Sequence, residues 1–347
     1  MRFRLWHSLK LSMTIIGTTI GAGFASGREI WEFFGSYGRS SGWSILLSML
    51  LFMTASMVIL YISWKKQTRH YSEVLSVVIG PRMAKGFDGL VILFLLSGTL
   101  VMVAGSGATF QQWGSSFAFG VWMMIGAVVF ILLFDLRGLL SMNAILIPIM
   151  IGVLLFVCLQ FLGADSRMEP SVTPTSSPLP AWPSAIIYAA FNMMSLLAVL
   201  STLGKQIQHG FEIGLAGIIS SSALGVIAAL YNYSLLRVED LISQYEIPLF
   251  AILRSYSPGW VLGISLVLWL AIFTTAVSNV HGLASRLSSL FPLPRWAIGG
   301  AILLLLLPLT RLGFSNLVTV LYPLYGVLNL VILTLLLLYP LTHRHPD

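Results

Sequence analysis

Residues Ile15 to Gly27 read Ile-Ile-Gly-Thr-Thr-Ile-Gly-Ala-Gly-Phe-Ala-Ser-Gly, and Arg28-Glu-Ile-Trp-Glu-Phe-Phe34 follows. Gly17, Gly21, Gly23 and Gly27 interrupt an otherwise apolar run, and each disfavours helix by up to about 1 kcal/mol relative to Ala. A bilayer-crossing helix built on this stretch is expected to break within it. Hydrocarbon offers no partners to the amides and carbonyls so freed, which must then face a polar ligand, an ion or water. A half-helix starting near Ser26 would aim its amides and positive dipole end at the gap, a setting that suits a carboxylate. The same spacing also supports close helix packing, because Gly17/Gly21 and Gly23/Gly27 are both small-xxx-small pairs.

Working outward, 57% of the 347 residues are apolar and 9% are charged. A soluble surface carries about a quarter charged residues, so this composition belongs in a bilayer. At about 20 residues per span the chain accommodates ten spans with short loops. They are expected at 8–34, 41–64, 86–112, 117–134, 139–162, 184–203, 211–236, 259–285, 295–310 and 315–340, all helical, since no run shows the period-two alternation of a barrel strand. The loop Ala164 to Pro183 holds five prolines and reads as an extended connector, and Glu246 to Arg254 as a short interfacial helix. Trp6, Trp43, Trp64, Trp113, Trp182, Trp260 and Trp296 lie near span ends, as interfacial anchors do.

The net charge of +7 is unevenly spread. With the N-terminus inside, thirteen Lys and Arg, Lys65, Lys66, Arg69, Arg82 and Lys85 among them, fall on the cytoplasmic side and six on the other. That bias places both termini in the cytoplasm and requires an even number of spans. The basic Met1 to Lys10 start is a poor secretory signal, so the first span is expected to be permanent. Basic residues interleaved with stacking aromatics do not occur outside the spans, which argues against nucleic acid as a partner. Cys158 is the only cysteine, so no internal disulfide forms, and within its apolar run it reads as a small hydrophobe.

The motif Gly21-Ala-Gly-Phe-Ala-Ser-Gly27 after Ile15-Ile-Gly-Thr-Thr-Ile20 resembles the discontinuous first helix of the amino acid–polyamine–cation transporter superfamily, which has the fold of the bacterial leucine transporter. Within it, the stretch is most similar to the bacterial YkvI-like amino-acid permease family. The resemblance implies an all-α integral membrane protein of two inverted five-helix repeats, 1–163 and 184–347, joined by the Pro-rich loop 164–183, in a bacterial cytoplasmic membrane. It also implies a sixth span broken like the first, with Asn192 to Ser195 as the second unwound segment, although no glycine stands there. A continuous helix with Asn192 bonded to a neighbour is the alternative.

The solute site implied by the resemblance comprises Gly21, Ala22, Gly23, Phe24, Ala25, Ser26 and Gly27 with Asn192, Met193 and Ser195. A carboxylate would rest on the Gly21 to Gly27 amides, and Phe24 with residues near Asn192 would shape the side-chain pocket. In sodium-coupled members the eighth span gives two hydroxyls and a carbonyl to the ion and the first span two carbonyls. The matching positions are Thr274, Thr275 and the Ala271 carbonyl, with the Gly17 and Ile20 carbonyls. Neutral oxygen ligands suit a hard monovalent cation. Thr and Ser in membrane helices also bond back to their own carbonyls, which leaves a proton-coupled or uncoupled mechanism open.

Other polar residues carry weaker signals. Glu29 and Glu32, a turn apart beside Arg28, are gating candidates or an interfacial ion pair. Asp88, and Asp135 with Arg137, read as capping and turn residues. His281 is a candidate proton carrier or a structural hydrogen-bond partner. Gly98, Gly105 and Gly107 with Ser97, Thr99, Ser106 and Thr109 form a small-residue face that lines the site or packs another helix.

Enzyme readings fail on inventory: there is no His-Glu-x-x-His, no Cys pair, no Gly-Lys-Ser/Thr after the glycine cluster, and no base paired with a serine. No organic cofactor is expected, only sodium or a proton as coupling ion. A channel would repeat a pore loop across subunits, whereas ten spans with a two-fold division are self-sufficient. The expectation is a secondary transporter of a small zwitterionic or anionic solute, an amino acid above all. A ligand sensor of the same fold, as in germinant receptors, would read almost identically.

Overall fold

A computed structural model describes residues 2–134, 137–164, 180–288 and 292–342. Asp135, the side chain of Arg137, most of the Pro-rich connector and Arg344 lie outside the described residues. Seventeen α-helices follow in order among those described. They are α1 (Arg2–Thr19), α2 (Ala22–Ala25), α3 (Arg28–Phe33), α4 (Ser41–Lys66), α5 (Tyr71–Ile79), α6 (Pro81–Gln112), α7 (Phe117–Leu132), α8 (Arg137–Ala164) and α9 (Trp182–Phe191). There follow α10 (Met193–Leu200), α11 (Gly210–Leu236), α12 (Glu239–Ile242), α13 (Leu249–Leu253), α14 (Pro258–Leu287), α15 (Arg295–Leu306), α16 (Phe314–Leu328) and α17 (Leu330–Thr342).

Among the described residues seven helices are long and apolar enough to cross a bilayer, and the bent pair α16–α17 makes an eighth. The other two expected spans are the 16-residue α7 and the first span, which is divided into α1, α2 and α3. Helix satisfies the backbone within each segment, the one arrangement hydrocarbon allows apart from a closed barrel. Pro81 and Pro258 stand at helix starts, where their missing N–H costs nothing, and Lys65 and Lys66 close α4 at its negative dipole end. Trp6, Trp43, Trp182, Trp260 and Trp296 are exposed on the periphery, with many lipid-compatible Leu and Phe side chains.

Two groups of helices emerge from the packing. The first span lies on α11 and α10, and α4 packs against α9, α10 and α11. On the other side α6 packs on α14 and α7, and α14 on α8 and α15. The groups meet around the break in the first span, where Ile15, Ile20, Phe24 and Ile30 are fully buried.

Three expectations need correction. The sixth span is interrupted at Asn192 alone and not over Asn192 to Ser195: Asn192 is a single turn residue between α9 and α10, with φ −72° and ψ −10°, its N bonded to Tyr188 O at 3.3 Å and its O to Leu196 N at 3.1 Å. Without glycine, nothing in the local sequence favours leaving the helix. The tenth span bends by 41° between α16 and α17. The segment after Glu246 is not interfacial, since every residue of α13 is buried, and Leu249 N donates to Ser26 O at 3.0 Å. Asp88 does not cap α6: it is the eighth residue of that helix, bonded to the Tyr71 hydroxyl and 3.6 Å from Arg286.

Candidate solute-binding site

The first span stops being helical at Ile20 and Gly21, then resumes for one turn in α2. Gly27 separates α2 from α3 in the left-handed region (φ +79°), which costs other residues about 1 kcal/mol or more. A side chain there would also stand 2.5 Å from the Tyr231 hydroxyl, which donates to Ala25 O at 3.0 Å. Ser26 Oγ donates to Gly23 O at 2.7 Å, and Thr19 Oγ1 to Ile15 O at 3.0 Å, so local hydroxyls satisfy part of the interrupted backbone. The amides of Ala22, Gly23 and Phe24 and the carbonyls of Gly17 and Ile20 have no such partner among the described residues.

Beside the break is a cavity of about 220 Å³. Gly17 to Gly23 form one wall and Glu29 reaches into it from α3. The remaining walls are Phe94, Ser97, Gly98 and Met102 of α6, Leu146, Ile147 and Met150 of α8, and Phe191, Asn192 and Ser195 at the α9–α10 junction. Ala271, Thr274, Thr275 and Asn279 of α14 and Leu321, Tyr322 and Tyr325 of α16 complete it. Its volume equals that of about seven waters, enough for a small organic solute.

Thus Gly21, Ala22, Gly23, Asn192 and Ser195 line the cavity, as do the five oxygen-ligand candidates Gly17, Ile20, Ala271, Thr274 and Thr275. Both threonine hydroxyls donate to Ala271 O, at 3.1 and 2.8 Å, which leaves their lone pairs free to accept or to ligate. Phe24 does not shape the pocket: it is fully buried in the packing behind it, and Ala25, Ser26, Gly27 and Met193 are likewise buried without lining the cavity. The one-turn α2 turns Phe24 and Ala25 to its rear face. The small-residue face of α6 divides in the same way. Ser97 and Gly98 line the cavity, whereas Gly105 faces the ring of Phe314 and Gly107 that of Phe117, and Thr99, Ser106 and Thr109 bond within the bundle. His281 does not line the cavity.

Glu29 and Glu32 have separate fates. Glu32 accepts from Thr319 Oγ1 at 2.9 Å and lies 3.9 Å from Arg28, whose guanidinium donates to the same hydroxyl at 3.2 Å. These bonds tie α3 to α16, and Glu246 extends the tie by accepting from Ser315 N at 2.6 Å. Glu29 turns the other way, is 6% exposed, and is the only carboxyl side chain in the described lining. Between the cavity and the α3 surface lie stacked rings: Phe191 on Tyr322 at 4.5 Å and Phe33 on Phe191 at 6.1 Å, while Phe94 meets Tyr325 edge-on at 5.3 Å. Sequence reasoning missed Phe94, Phe191, Tyr322, Tyr325 and Asn279. Only the position of Phe191 beside Asn192 hinted at one of them, because aromatics within spans read as packing.

The interrupted first helix, the cavity beside it and the two packed helix groups define a membrane protein of the leucine-transporter fold. Solved structures agree. A manganese transporter from Eremococcus coleocola superposes with a TM-score of 0.61 at 14% identity, over 97% of this chain and 89% of that one. MhsT in complex with L-phenylalanine gives 0.60 at 17%, over 97% and 89%, and Mhp1 in its inward-facing conformation 0.56 at 14%, over 98% and 77%.

The chain belongs to the family of YyaD, an uncharacterized protein of Bacillus subtilis (strain 168), to which it is 40% identical over 341 residues, 98% of this chain and 99% of YyaD. It is 26% identical over 337 residues to YkvI, an uncharacterized membrane protein of the same strain, over 94% of each. No family model matches the sequence.

Proposed function

We propose that this protein is a secondary transporter that carries a small organic solute of the amino-acid class across the bacterial cytoplasmic membrane, with both termini in the cytoplasm. The observation that carries this reading is the helix break at Ile20 and Gly21 opening onto a cavity of solute size, with unbonded amides at Ala22 and Gly23 in its wall. Such amides receive a carboxylate without the cost of breaking an existing hydrogen bond. The likeness to MhsT bound to L-phenylalanine supports an amino-acid-like solute. The described lining joins one carboxyl group to the rings of Phe94, Phe191, Tyr322 and Tyr325, surroundings that suit a small organic solute.

Halves 1–163 and 184–347 would act as inverted repeats, and the two helix groups supply the moving parts. The group of α1, α4, α9–α10 and α11 would rock against that of α6, α7, α14 and α15 about the fixed cavity. Sodium is the coupling ion this reading favours. The carbonyls of Gly17, Ile20 and Ala271 with the hydroxyls of Thr274 and Thr275 form a neutral oxygen set on two facing spans, and Gly17 and Ile20 have no competing donor.

The test is uptake of labelled amino acids into proteoliposomes, with sodium inside, outside or absent. Accumulation that follows an inward sodium gradient supports the full reading, and accumulation that follows only a proton gradient would move the coupling to protons. Stabilisation of the protein by a solute that never crosses would replace the transporter with a sensor.

A further inference from the structure

We propose that Glu29 is the charge-selecting group of this cavity, binding the ammonium of a net-positive organic amine and rejecting anions; the proposal rests on the reading of the cavity as the solute site. The argument starts from what Glu29 lacks. Its Oε2 is buried without a hydrogen-bond partner among the described residues. Glu246 Oε2 accepts from Ser315 N at 2.6 Å, and Glu212, whose Oε1 is likewise buried without a partner, has its Oε2 bonded to Gln208 N at 3.1 Å and does not line the cavity. The adjacent cation, Arg28, is engaged elsewhere, with Thr319 and Glu32. No Lys, Arg or His stands in the described lining.

A bare carboxylate in a dry site is costly, and a cation brought by the ligand removes that cost. The surroundings fit an organic cation better than a proton alone. Phe94, Phe191, Tyr322 and Tyr325 all present to the same cavity, and aromatic faces attract ammonium groups. A net-positive solute leaves the occupied site neutral. With Glu29 ionised a zwitterion leaves one excess negative charge, which only a proton on Glu29 removes, and an anion leaves an excess charge in either state.

Three amino acids with the same six-carbon frame test this directly: L-lysine ends in an ammonium, L-norleucine in a methyl and L-2-aminoadipate in a carboxylate. Binding of each to the purified full-length protein would be measured by thermal shift and by isothermal titration. The expected order of affinity is lysine, norleucine, aminoadipate, with about tenfold or more between the first and the last. In Glu29→Gln lysine should weaken about tenfold or more and the order should collapse, whereas Glu29→Asp should keep the order.

Aminoadipate binding as tightly as lysine to the wild type overturns the proposal, as does an order unchanged in Glu29→Gln, or no binding of any of the three to folded protein. The wild-type order decides the matter even where Glu29→Gln fails to fold. Proteoliposome uptake separates the two readings: a lysine preference that depends on Glu29 without any uptake supports the charge filter while removing the transport function.

Discussion

The carboxyl of Glu29 occupies the space that a side chain at position 23 would need. A Cβ on Gly23 would overlap that carboxyl and come within 2.9 Å of the Tyr322 hydroxyl. Gly23 therefore does more than loosen a helix, since its missing side chain lets an acidic group from α3 lie over the break. At Gly21 the same added Cβ would meet no atom within 4 Å.

Gly23→Ala should consequently fold but weaken solute binding about tenfold or more, because Glu29 and Tyr322 must both shift. Gly21→Ala should leave thermal stability within about 2 °C of the wild type, as a substitution that meets no neighbour does. Thermal unfolding in detergent and solute titration of both variants check the contrast. Full-strength binding by Gly23→Ala would detach Glu29 from the break.

Thr275→Ala removes one candidate ion ligand and one hydroxyl that otherwise donates to Ala271 O at 2.8 Å. The sodium concentration needed for half-maximal solute binding should rise about tenfold, with little change in stability, because exposed or half-buried back-bonds of this kind contribute little to helices. Titrating sodium at fixed solute measures it, and an unchanged sodium response would remove α14 from ion binding.

Thr319 joins α3 to α16 by accepting from Arg28 and donating to Glu32. Thr319→Val should break both bonds and shift the population towards forms open on the α3 side. With Cys158 replaced by Ser and a cysteine placed at Ser195, a water-soluble maleimide added to that side should label the variant several-fold faster than its Thr319 parent. Equal rates would show that the aromatic stack alone closes this path.

Gly27→Ala should lower stability by about 1–3 kcal/mol, from the positive φ and the crowded Tyr231 hydroxyl. Tyr231→Phe, which loses only the bond to Ala25 O, should cost about 1 kcal/mol. Denaturation midpoints of both variants give the comparison. A Gly27→Ala protein as stable as the wild type would mean that the turn between α2 and α3 relaxes freely.

At the opposite surface Tyr71 bonds to Asp88 and Arg286. Burial, then its bond to Asp88, raises the Tyr71 phenol above its ordinary value of 10.0. Above pH 10 the unfolded chain has therefore released a proton that the folded one keeps, so stability should fall as pH rises through that range and be flat below about pH 9. Tyr71→Phe should flatten the alkaline limb of a plot of melting temperature against pH, and a slope of the same size in the variant would assign it to another group.

The glycines of Ile15 to Gly27 were enough to locate the helix break, and the hydropathy of the chain to find the apolar helices, seven or eight of which are long enough to cross a bilayer among the described residues, because both are local properties. A missing Cβ weakens helix wherever it stands, and an apolar run seeks hydrocarbon whatever it packs against. Gly17, Gly21, Gly23, Asn192, Ser195, Thr274 and Thr275 could be named from sequence for the same reason: small or hydroxyl-bearing residues are conspicuous within apolar spans.

Tertiary structure decided the rest. Which face α2 turns to the cavity follows from how one helical turn is anchored by Tyr231, Leu249 and the Gly27 turn, and it sends Phe24 to the rear. How far the sixth span opens at Asn192 depends on the hydrogen bonds around it, and these confine the interruption to one residue. The separation of Glu29 from Glu32 was invisible in sequence: three residues apart on one helical face, one finds Thr319 and Arg28 while the other finds only a cavity. Partners for a buried charge come from elements distant in the chain, and only the assembled bundle determines which charge goes without.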